Sequence, residues 1–243
     1  MADDGISSAN TVGYTSKSIS ADTYYLIGVQ FQKVGENGVA GLNDILKMSG
    51  VTAVPYDEQE DNGARIDVLV GSAYISYYYI SDAYDADGNE VTGWAKDGDL
   101  ITTADLALGN GFWFVTKNAS AGATLTVAGE VTAASEFGIS FPGSKAFAIK
   151  SNPFPTAANL ADVTTTGITA VPYDQQEDSA ARIDVLVGSA YVSYYYISDA
   201  YDADGNEVTG WAKDGDLAEP GAIPVGASFW INSPTAGTIT FNK

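Results

Sequence analysis

Apolar and polar residues alternate along a short run near the middle of each half of the chain. In residues 64–70, apolar side chains stand at the first, third and fifth positions, with Arg65 and Asp67 between them. A period of two residues is typical of a strand with one buried face. Gly71-Ser72 follows and suits a two-residue hairpin turn with glycine leading. The pattern therefore predicts a hairpin whose return strand covers residues 73–80.

The return strand carries tyrosines on both of its faces. A strand of period two places residues on alternate faces, here Tyr74, Ser76, Tyr78 and Ile80 on one and Ile75, Tyr77, Tyr79 and Ser81 on the other. One face can pack into a core. The other then either exposes aromatic rings or is covered by a neighbouring element, and both alternatives stay open.

The same pattern occurs twice in the chain. Residues 51–100 align with residues 168–217 at a constant offset of 117, and only five positions differ: Val51/Ile168, Glu58/Gln175, Asn62/Ser179, Gly63/Ala180 and Ile75/Val192. Further upstream, Tyr25-Leu26-Ile27 corresponds to Phe147-Ala148-Ile149. Copies of this size are tandem domains, since solenoid units repeat every 20–50 residues. We predict an N-terminal segment at residues 1–9, one repeat domain at 10–128 and a second at 129–243.

Short β-branched and aromatic runs separated by turn residues make up most of the remaining sequence. Residues 111–115 and 227–231 are predicted core strands, and residues 123–127 and 238–241 are predicted closing strands. The best helical stretch, residues 41–48, is one or two turns long, and its counterpart near 158–163 is shorter. The predicted fold is all-β: two tandem homologous β-sandwich or barrel-like domains with at most one short helix each.

The charge of the chain excludes several partners. It has 11 Lys and Arg residues against 31 Asp and Glu residues, a net charge of -20. Such a surface offers nothing to phosphates, so we expect no nucleic-acid binding. No apolar run approaches the roughly 20 residues of a membrane helix, so we expect no membrane insertion. Acidic loops suit hard cations, and calcium is the candidate cofactor.

The chain also lacks both histidine and cysteine. These absences exclude disulfides and thiolate zinc sites, and they remove the commonest general base and the commonest transition-metal ligand. Paired carboxylates could still form a glycosidase site, but no motif singles out one pair among so many acids. We therefore expect that the protein is not an enzyme.

An acidic stretch in each repeat has oxygen ligands at alternating positions. The residues are Asp85, Asp87, Asn89 and Glu90 in the first repeat and Asp202, Asp204, Asn206 and Glu207 in the second. They resemble the start of a calcium loop, and Asp97, Asp99, Asp214 and Asp216 could add ligands from the next turn. The glutamate of a complete EF-hand loop is absent, since the twelfth position from Asp85 is Lys96. A hairpin turn rich in Asp, Asn and Gly is the alternative interpretation.

Aromatic residues of the central repeat are the candidate interaction surface. The predicted set is Tyr77, Tyr79 and Trp94 with their equivalents Tyr194, Tyr196 and Trp211. Such rings can stack on the apolar faces of sugars, and two equal sites would give avidity on a polymer. Packing in the core and contact with another protein are the alternatives, because Tyr and Trp are enriched at protein interfaces.

Several short motifs carry a resemblance to a known family. They are Asn10-Thr11-Val12-Gly13-Tyr14, Gly71-Ser72-Ala73-Tyr74, Gly93-Trp94, Gly109-Asn110-Gly111-Phe112-Trp113, Gly129-Glu130-Val131 and Ser151-Asn152-Pro153-Phe154. This succession resembles a secreted tandem-repeat family of unknown function common in Verrucomicrobia, Planctomycetes and Lentisphaerae. The first repeat departs from it, with Gly28-Val29-Gln30-Phe31 where the second has Ser-Asn-Pro-Phe. The resemblance implies export from a bacterial cell and supplies no activity.

Two functions follow as expectations. The first is an extracellular or cell-surface structural subunit that assembles with copies of itself into a filament, sheath or surface layer. In such an assembly, the segment 1–9 would add a strand to the sheet of a neighbouring subunit, and cations would bridge acidic loops. The alternative is a bivalent carbohydrate-binding or adhesive surface protein, whose partner is a polysaccharide. The opening Met1-Ala2-Asp3-Asp4-Gly5 fits a mature end left after signal cleavage, or an added Met on one.

Overall fold

The computed structural model describes residues 11–35, 39–100, 106–213 and 221–243. Strands dominate these residues, which confirms the predicted all-β class. Within the same ranges, no helix has the length and apolar character needed to cross a membrane. The predicted assembly segment 1–9 lies outside the described residues.

The first repeat contains eleven strands and two one-turn α-helices among its described residues. In chain order they are β1 (Val12–Ser18), β2 (Tyr25–Gly28), β3 (Val39–Ala40), α1 (Leu42–Ile45), β4 (Leu46–Ser49), a 3-10 turn (Tyr56–Glu58), α2 (Gln59–Asn62), β5 (Ala64–Val70), β6 (Ala73–Tyr84), β7 (Glu90–Lys96), β8 (Asp99–Leu100), β9 (Leu106–Ala107), β10 (Gly111–Thr116) and β11 (Thr124–Glu130). The predicted domain boundary between residues 128 and 129 falls inside β11.

The second repeat contains ten strands and one α-helix among its described residues. They are β12 (Glu136–Phe141), β13 (Phe147–Ser151), β14 (Ala158–Asn159), β15 (Thr164–Thr166), a 3-10 turn (Tyr173–Gln175), α3 (Gln176–Ser179), β16 (Arg182–Val187), β17 (Ala190–Tyr201), β18 (Glu207–Ala212), β19 (Ala222–Ile223), β20 (Ser228–Asn232) and β21 (Gly237–Asn242).

Two sheets enclose one core in the first repeat. The smaller sheet has the order β1-β11-β4, and the larger has the order β2-β10-β5-β6-β7-β8. Leu125 and Val127 of the smaller sheet share a buried cluster with Ile66, Phe112 and Phe114 of the larger one. Fully burying each such side chain stabilises the fold by about 1.5–3 kcal/mol. The arrangement is a β-sandwich.

The second repeat has the same layers. Its smaller sheet has the order β12-β21-β15, and its larger sheet has the order β13-β20-β16-β17-β18. Ile239 and Phe241 of the smaller sheet pack against Ile183, Phe229 and Ile231 of the larger one. The two repeats thus bury equivalent faces, because the alternation of their strands is the same. Independent folding of each repeat stays a prediction.

The repeats contact each other through main-chain groups at equivalent positions. The Gly28 N–H donates to the Gly226 carbonyl at 2.9 Å, and the Ser151 N–H donates to the Gly109 carbonyl at 2.8 Å. Gly28 and Ser151 are equivalent, as are Gly109 and Gly226, so each bond repeats the other with the two repeats exchanged. A Cβ at Gly28 would lie 2.7 Å from the Cβ of Ser151, so this close approach requires glycine.

Strand pairing corrects the upstream alignment of the repeats by one residue. Trp113 pairs with Leu26, and its equivalent Trp230 pairs with Ile149. The position equivalent to Phe147 is therefore Tyr24, and Tyr25 is equivalent to Ala148. The residues differ so much in this strand that sequence alone placed them one position out of register.

The observed helices differ more from the prediction than any other part of the fold. The stretch 41–48 is helical only at α1, because Leu46–Ser49 pairs with β11 as a strand. The stretch near 158–163 contains β14 and no α-helix. The helices α2 and α3 were not predicted, so the first repeat has two short α-helices where at most one was expected.

Candidate functional site

The outer face of the large sheet in the first repeat carries a row of one aromatic and two polar side chains. Trp113 on β10 pairs with Asp67 on β5, which pairs in turn with Ser76 on β6. Phe112 and Phe114 point into the core. Because side chains alternate along a strand, Trp113 points outward. The register of three strands thus brings an indole, a carboxylate and a hydroxyl together.

An ion pair forms the polar floor beside Trp113. The Arg65 Nε donates to Asp67 Oδ2 at 3.1 Å, and the Arg65 Nη2 lies 3.0 Å from the same oxygen. The Ser76 hydroxyl donates to Asp67 Oδ1 at 2.6 Å. Arg65 also donates to the Tyr24 hydroxyl at 3.3 Å. The floor therefore offers donors and acceptors with no net charge.

Aromatic rings form the walls of this site. Tyr24 and Trp113 are T-shaped, with ring centroids 6.3 Å apart and an interplanar angle of 82°. Tyr74 stands on the other side, and Tyr24 is 55% and Tyr74 47% exposed. Together with Arg65, Asp67 and Ser76 these rings line an open cleft of about 470 Å³, which we call cleft 1.

The surroundings of cleft 1 shift two pKa values. Partial burial alone would lower the pKa of Arg65, but the Asp67 carboxylate, with Tyr24 and Tyr78, raises it overall. Desolvation raises the pKa of Tyr74, against a hydrogen bond with the Trp113 indole that lowers it. At neutral pH, Arg65 is therefore charged and the Tyr74 phenol is neutral.

The second repeat builds the same site from equivalent residues. Arg182 Nε donates to Asp184 Oδ2 at 3.0 Å, and the Ser193 hydroxyl donates to Asp184 Oδ1 at 2.6 Å. Phe147 and Trp230 are T-shaped, with centroids 5.9 Å apart and an angle of 89°. The Trp230 Nε1 donates to the hydroxyl of Tyr191 at 3.3 Å.

The second site, which we call cleft 2, is larger than the first. Its volume is about 910 Å³, and residues of the first repeat contribute to its lining: Leu69, Gly71, Ser72 and Tyr74. Pro142, Lys145 and Ala146 of the second repeat complete it. Phe147 replaces Tyr24 here, so the second aromatic pair lacks the hydroxyl that accepts from Arg65 in cleft 1.

The predicted interaction surface is largely buried. Trp94 and Trp211 are each 1% exposed, and Tyr77 and Tyr194 are also buried. Tyr79 and Tyr196 are half-buried, each packed on a buried indole with centroids 5.5 Å and 5.3 Å apart. The assignment of the two indoles and of Tyr77 and Tyr194 to an exposed surface is therefore wrong. These rings face the core because they alternate with the outward residues of the same strands.

The predicted cation residues instead form hairpin turns. Asp85 Oδ1 accepts from the N–H groups of Asp87 and Asn89 at 3.0 Å and 2.8 Å, and Asp85 Oδ2 accepts from the Asn89 side chain at 3.1 Å. These bonds lower the pKa of Asp85, the largest contribution coming from the Asn89 N–H. Glu90 is exposed on β7.

The second repeat has the same turn. Asp202 Oδ1 accepts from the N–H groups of Asp204 and Asn206, while Glu207 is exposed on β18. Across the described ranges, no group of three or more acidic side chains is placed to hold a metal ion. The structure thus favours the turn interpretation over the predicted calcium site, and Asp214 and Asp216 lie outside the described residues.

Most residues that line the two clefts were not among the predicted site residues. Tyr74 and Tyr191 were placed on the correct strands, but Arg65, Asp67 and Trp113 were not singled out. One signal was present: Trp113 lies between two core phenylalanines and must face away from them. The contribution of Tyr24 depends on the pairing of β2 with β10, which the sequence does not display.

Comparison with known proteins adds little. No protein-family model matches the chain, and no curated protein matches it. The chain is distantly similar to the solved structure of the major capsid protein P2 from Bacteriophage PM2, with 12% identity, a TM-score of 0.25, and coverage of 95% of this chain and 96% of that one. A likeness this distant supports no inference about function.

Proposed function

We propose that this protein binds neutral carbohydrate chains in clefts 1 and 2 and does not transform them. One observation carries the proposal: each cleft sets an exposed T-shaped aromatic pair beside a neutral Arg–Asp–Ser floor. Sugar rings present apolar C–H faces that pack on aromatic rings. Their hydroxyl groups exchange hydrogen bonds with carboxylate, guanidinium and hydroxyl partners. Apolar walls with a few converging polar groups are typical of small-ligand sites.

Charge supports a neutral ligand over an acidic one. The chain carries a net charge of -20, which repels polyanions at a distance. Within each cleft, the arginine is already paired with an aspartate at 3.0 Å, and the Lys145 ammonium, which also lines cleft 2, donates to the Asp178 carbonyl at 2.9 Å. An anionic ligand would have to displace this carboxylate, whereas a hydroxyl group can share it.

The chemistry of the floor supports binding over hydrolysis. Glycosidases generally use two carboxyl groups on either side of the bond that they cleave. Among the residues that the structure describes, each of the two clefts is lined by a single carboxylate, Asp67 or Asp184. That carboxylate accepts hydrogen bonds from Arg and Ser, so it acts as a fixed acceptor for hydroxyl groups.

A glycan array followed by tryptophan fluorescence titration tests the proposal. Trp113 and Trp230 are half-exposed, whereas Trp94 and Trp211 are buried, so the emission that responds to a ligand comes from the clefts. In the double variant Trp113→Ala/Trp230→Ala, affinity should fall about 10-fold at each cleft, since each lost stacking contact costs about 1–1.5 kcal/mol. Because this variant lacks the responding tryptophans, its affinity is measured by isothermal titration calorimetry.

The matched control replaces two exposed tyrosines outside the clefts, Tyr84→Ala and Tyr201→Ala. These residues are 51% and 53% exposed, so their loss should leave affinity unchanged. If no glycan on the array binds, or if the control variant weakens binding as much as the tryptophan variant, carbohydrate binding in the clefts is wrong.

The cellular setting belongs to the same proposal. We place the protein outside the cytoplasm of a bacterium, in keeping with its resemblance to a secreted repeat family. A polysaccharide-binding protein meets its ligand there, in the wall, sheath or matrix. Fractionation of the source cells would detect the protein in the medium or surface fraction; recovery only from the cytoplasm would contradict this placement.

Self-assembly is a second candidate, favoured by a different observation. Among the described strands, β1 lies at the edge of its sheet and pairs only with β11. Val12 and Tyr14 on it are 63% and 73% exposed. An edge with exposed apolar side chains is a template for strand addition.

Sedimentation velocity over a concentration series tests this candidate. If β1 mediates assembly, Val12→Lys/Tyr14→Lys should convert oligomers into monomers, because charged residues on an edge oppose pairing. Deletion of residues 1–12 should have the same effect. The control is Val187→Lys, a similarly exposed residue on β16. A wild-type chain that stays monomeric at all concentrations would rule out assembly of the isolated protein.

A further inference from the structure

We infer that clefts 1 and 2 bind one continuous carbohydrate chain that runs across both repeats, and not two separate chains. This inference rests on the proposed carbohydrate-binding function. It goes beyond that function. Two independent sites would gain affinity for a polymer only through avidity, whereas a groove shared by both clefts would bind a chain long enough to span it more tightly than a shorter chain.

The two clefts share a wall. Tyr74 of the first repeat lines cleft 1 together with Trp113, and it also lines cleft 2 together with Tyr191 and Trp230. Tyr191 is near enough to Tyr74 for its charge to contribute to the raised pKa of Tyr74. The exposed rings therefore form a sequence from one cleft to the next, with Tyr74 between the two indoles.

The junction fixes the relative position of the clefts. Besides the two main-chain bonds at Gly28 and Ser151, the buried Gln30 side chain donates to the Phe154 carbonyl at 2.7 Å. Lys150 Nζ donates to Asn110 Oδ1 at 2.8 Å. A Cβ at Gly111 would overlap the Ser228 side chain, so the backbones approach closely there. Polar bonds and close packing at one junction hold the repeats as a fixed pair.

A fixed pair of subsites favours a single long ligand. Once one part of the chain occupies cleft 1, binding of the next part in cleft 2 becomes intramolecular, which can raise affinity by about 10²–10⁴-fold. Because the subsites are already in position, little conformational freedom of the protein is lost on binding. Two separate carbohydrate chains, one in each cleft, would instead each have to end at Tyr74 or bend away from it.

The polar floor points to a carbohydrate as the occupant of the groove. The Arg–Asp–Ser set recurs in both clefts with nearly equal bond lengths, so both clefts present the same hydrogen-bonding groups to successive hydroxyl-bearing units of a ligand. An extended peptide of varied sequence would have to match the same set twice.

Isothermal titration calorimetry with oligosaccharides of increasing length tests the inference. The probes are β-1,4-linked glucose oligomers of two to eight units, together with the matching series of any other glycan class that gives a signal on the array. We expect short oligomers to bind with two equivalents per protein. Beyond the length that spans both clefts, the stoichiometry should fall to one and the affinity should rise at least about 10-fold.

Single-cleft variants make the test specific. Trp113→Ala should lower the affinity for the longest oligomer to that of a short one, and Trp230→Ala should do the same. With short oligomers, each variant should reduce the stoichiometry from two to one. Tyr84→Ala, outside the clefts, should preserve the step in affinity with length.

The possible failures are distinguishable. Two equivalents of the longest oligomer, bound no more tightly than a short one, would overturn the continuous groove and leave carbohydrate binding intact. Absence of binding at every length and in every glycan class would overturn both. Tight binding of an extended peptide or of a second copy of the chain in the clefts, without any glycan binding, would likewise overturn both.

Discussion

Clefts 1 and 2 contain the same row of side chains in different surroundings. Trp113, Asp67 and Ser76 recur as Trp230, Asp184 and Ser193, and the equivalent hydrogen bonds differ by no more than 0.1 Å. Around this row, Tyr24 is replaced by Phe147. Leu69, Gly71 and Ser72 of the first repeat line cleft 2 but not cleft 1, whereas Tyr74 lines both. Cleft 2 is about twice as large.

This difference separates two sources of specificity. The nearly identical central strands fix the hydrogen-bonding floor through their register. The walls of each cleft are determined by the strand that differs between the repeats, β2 or β13, and by the packing of one repeat on the other. A duplicated site can therefore keep its chemistry while its size and polarity change, which suits two unequal subsites along one chain.

The largest effect on stability is expected at the junction between the two repeats, the contact that makes the two clefts unequal. Gly111→Ser should lower the free energy of unfolding by about 2–3 kcal/mol, because its side chain would overlap Ser228. The exchanged double variant Gly111→Ser/Ser228→Gly should regain about half of this loss, measured by urea denaturation. A Gly111→Ser protein as stable as the wild type would contradict the close packing of the repeats.

Removing the floor carboxylates should have the next largest effect. Asp67→Ala and Asp184→Ala each leave an arginine and a serine without this acceptor, at a cost of about 1.5–3 kcal/mol. Because the bonds are the same in both repeats, the two losses should agree within about 0.5 kcal/mol. Asp87→Ala, at an exposed turn position, is the control. A large loss in only one repeat would show that the floors are not equivalent.

Replacing Lys150 at the junction should have a smaller effect on stability, and that effect should depend on pH. Burial lowers its pKa below the ordinary 10.5, so a charged Lys150 destabilises the fold at pH values below its folded pKa. The equivalent residue of the first repeat is Ile27. Lys150→Ile should therefore stabilise the protein by about 1 kcal/mol at pH 7.

The same advantage should shrink as the pH rises. Above the folded pKa, the wild-type lysine is neutral and the cost of its charge is relieved, so the variant and the wild type should converge between that pKa and 10.5. Thermal unfolding from pH 7 to pH 10 measures this. A Lys150→Ile variant that is less stable at pH 7 would show that the bond to Asn110 outweighs the burial of the charge.

The smallest effect is expected at the acidic turns. Hydrogen bonds, chiefly from Asn89 and Asn206, lower the pKa of Asp85 and Asp202 below the ordinary 3.8. Their contribution to stability is present above pH 3.8 and is lost as the pH falls through the folded pKa. Asp85→Ala and Asp202→Ala should therefore lower the melting temperature slightly at pH 7, and the difference from the wild type should shrink as the pH falls below 3.8. Stabilisation by added calcium that these variants abolish would revive the cation site.

Much of the fold follows from local sequence, and the exceptions have physical causes. The alternation in 64–70 and the Gly71-Ser72 turn predicted the β5–β6 hairpin correctly. Residues 46–48, the end of the predicted helical stretch 41–48, instead extend the sheet of β11, because Leu46 and Met48 pair with that strand. Tertiary pairing of this kind overrides a short local propensity.

The candidate site was less accessible to sequence reasoning. Trp94 and Trp113 are the same residue type on two strands of the large sheet, but one is buried and the other lines a cleft. Whether each indole faces the core or the cleft depends on which neighbouring side chains are buried. The sequence of β7 alone does not reveal this. The contribution of Tyr74 to cleft 2 depends on the packing of the repeats, which is set by residues far apart in the chain.

A crystal structure of the protein with a bound oligosaccharide long enough to span both clefts would test the central claim most directly. We predict sugar rings stacked on Trp113 and Trp230 and hydrogen-bonded to Asp67 and Asp184, with one unbroken chain passing Tyr74. A sugar chain bound on another surface, with both clefts empty or filled by a neighbouring protein molecule, would contradict the account.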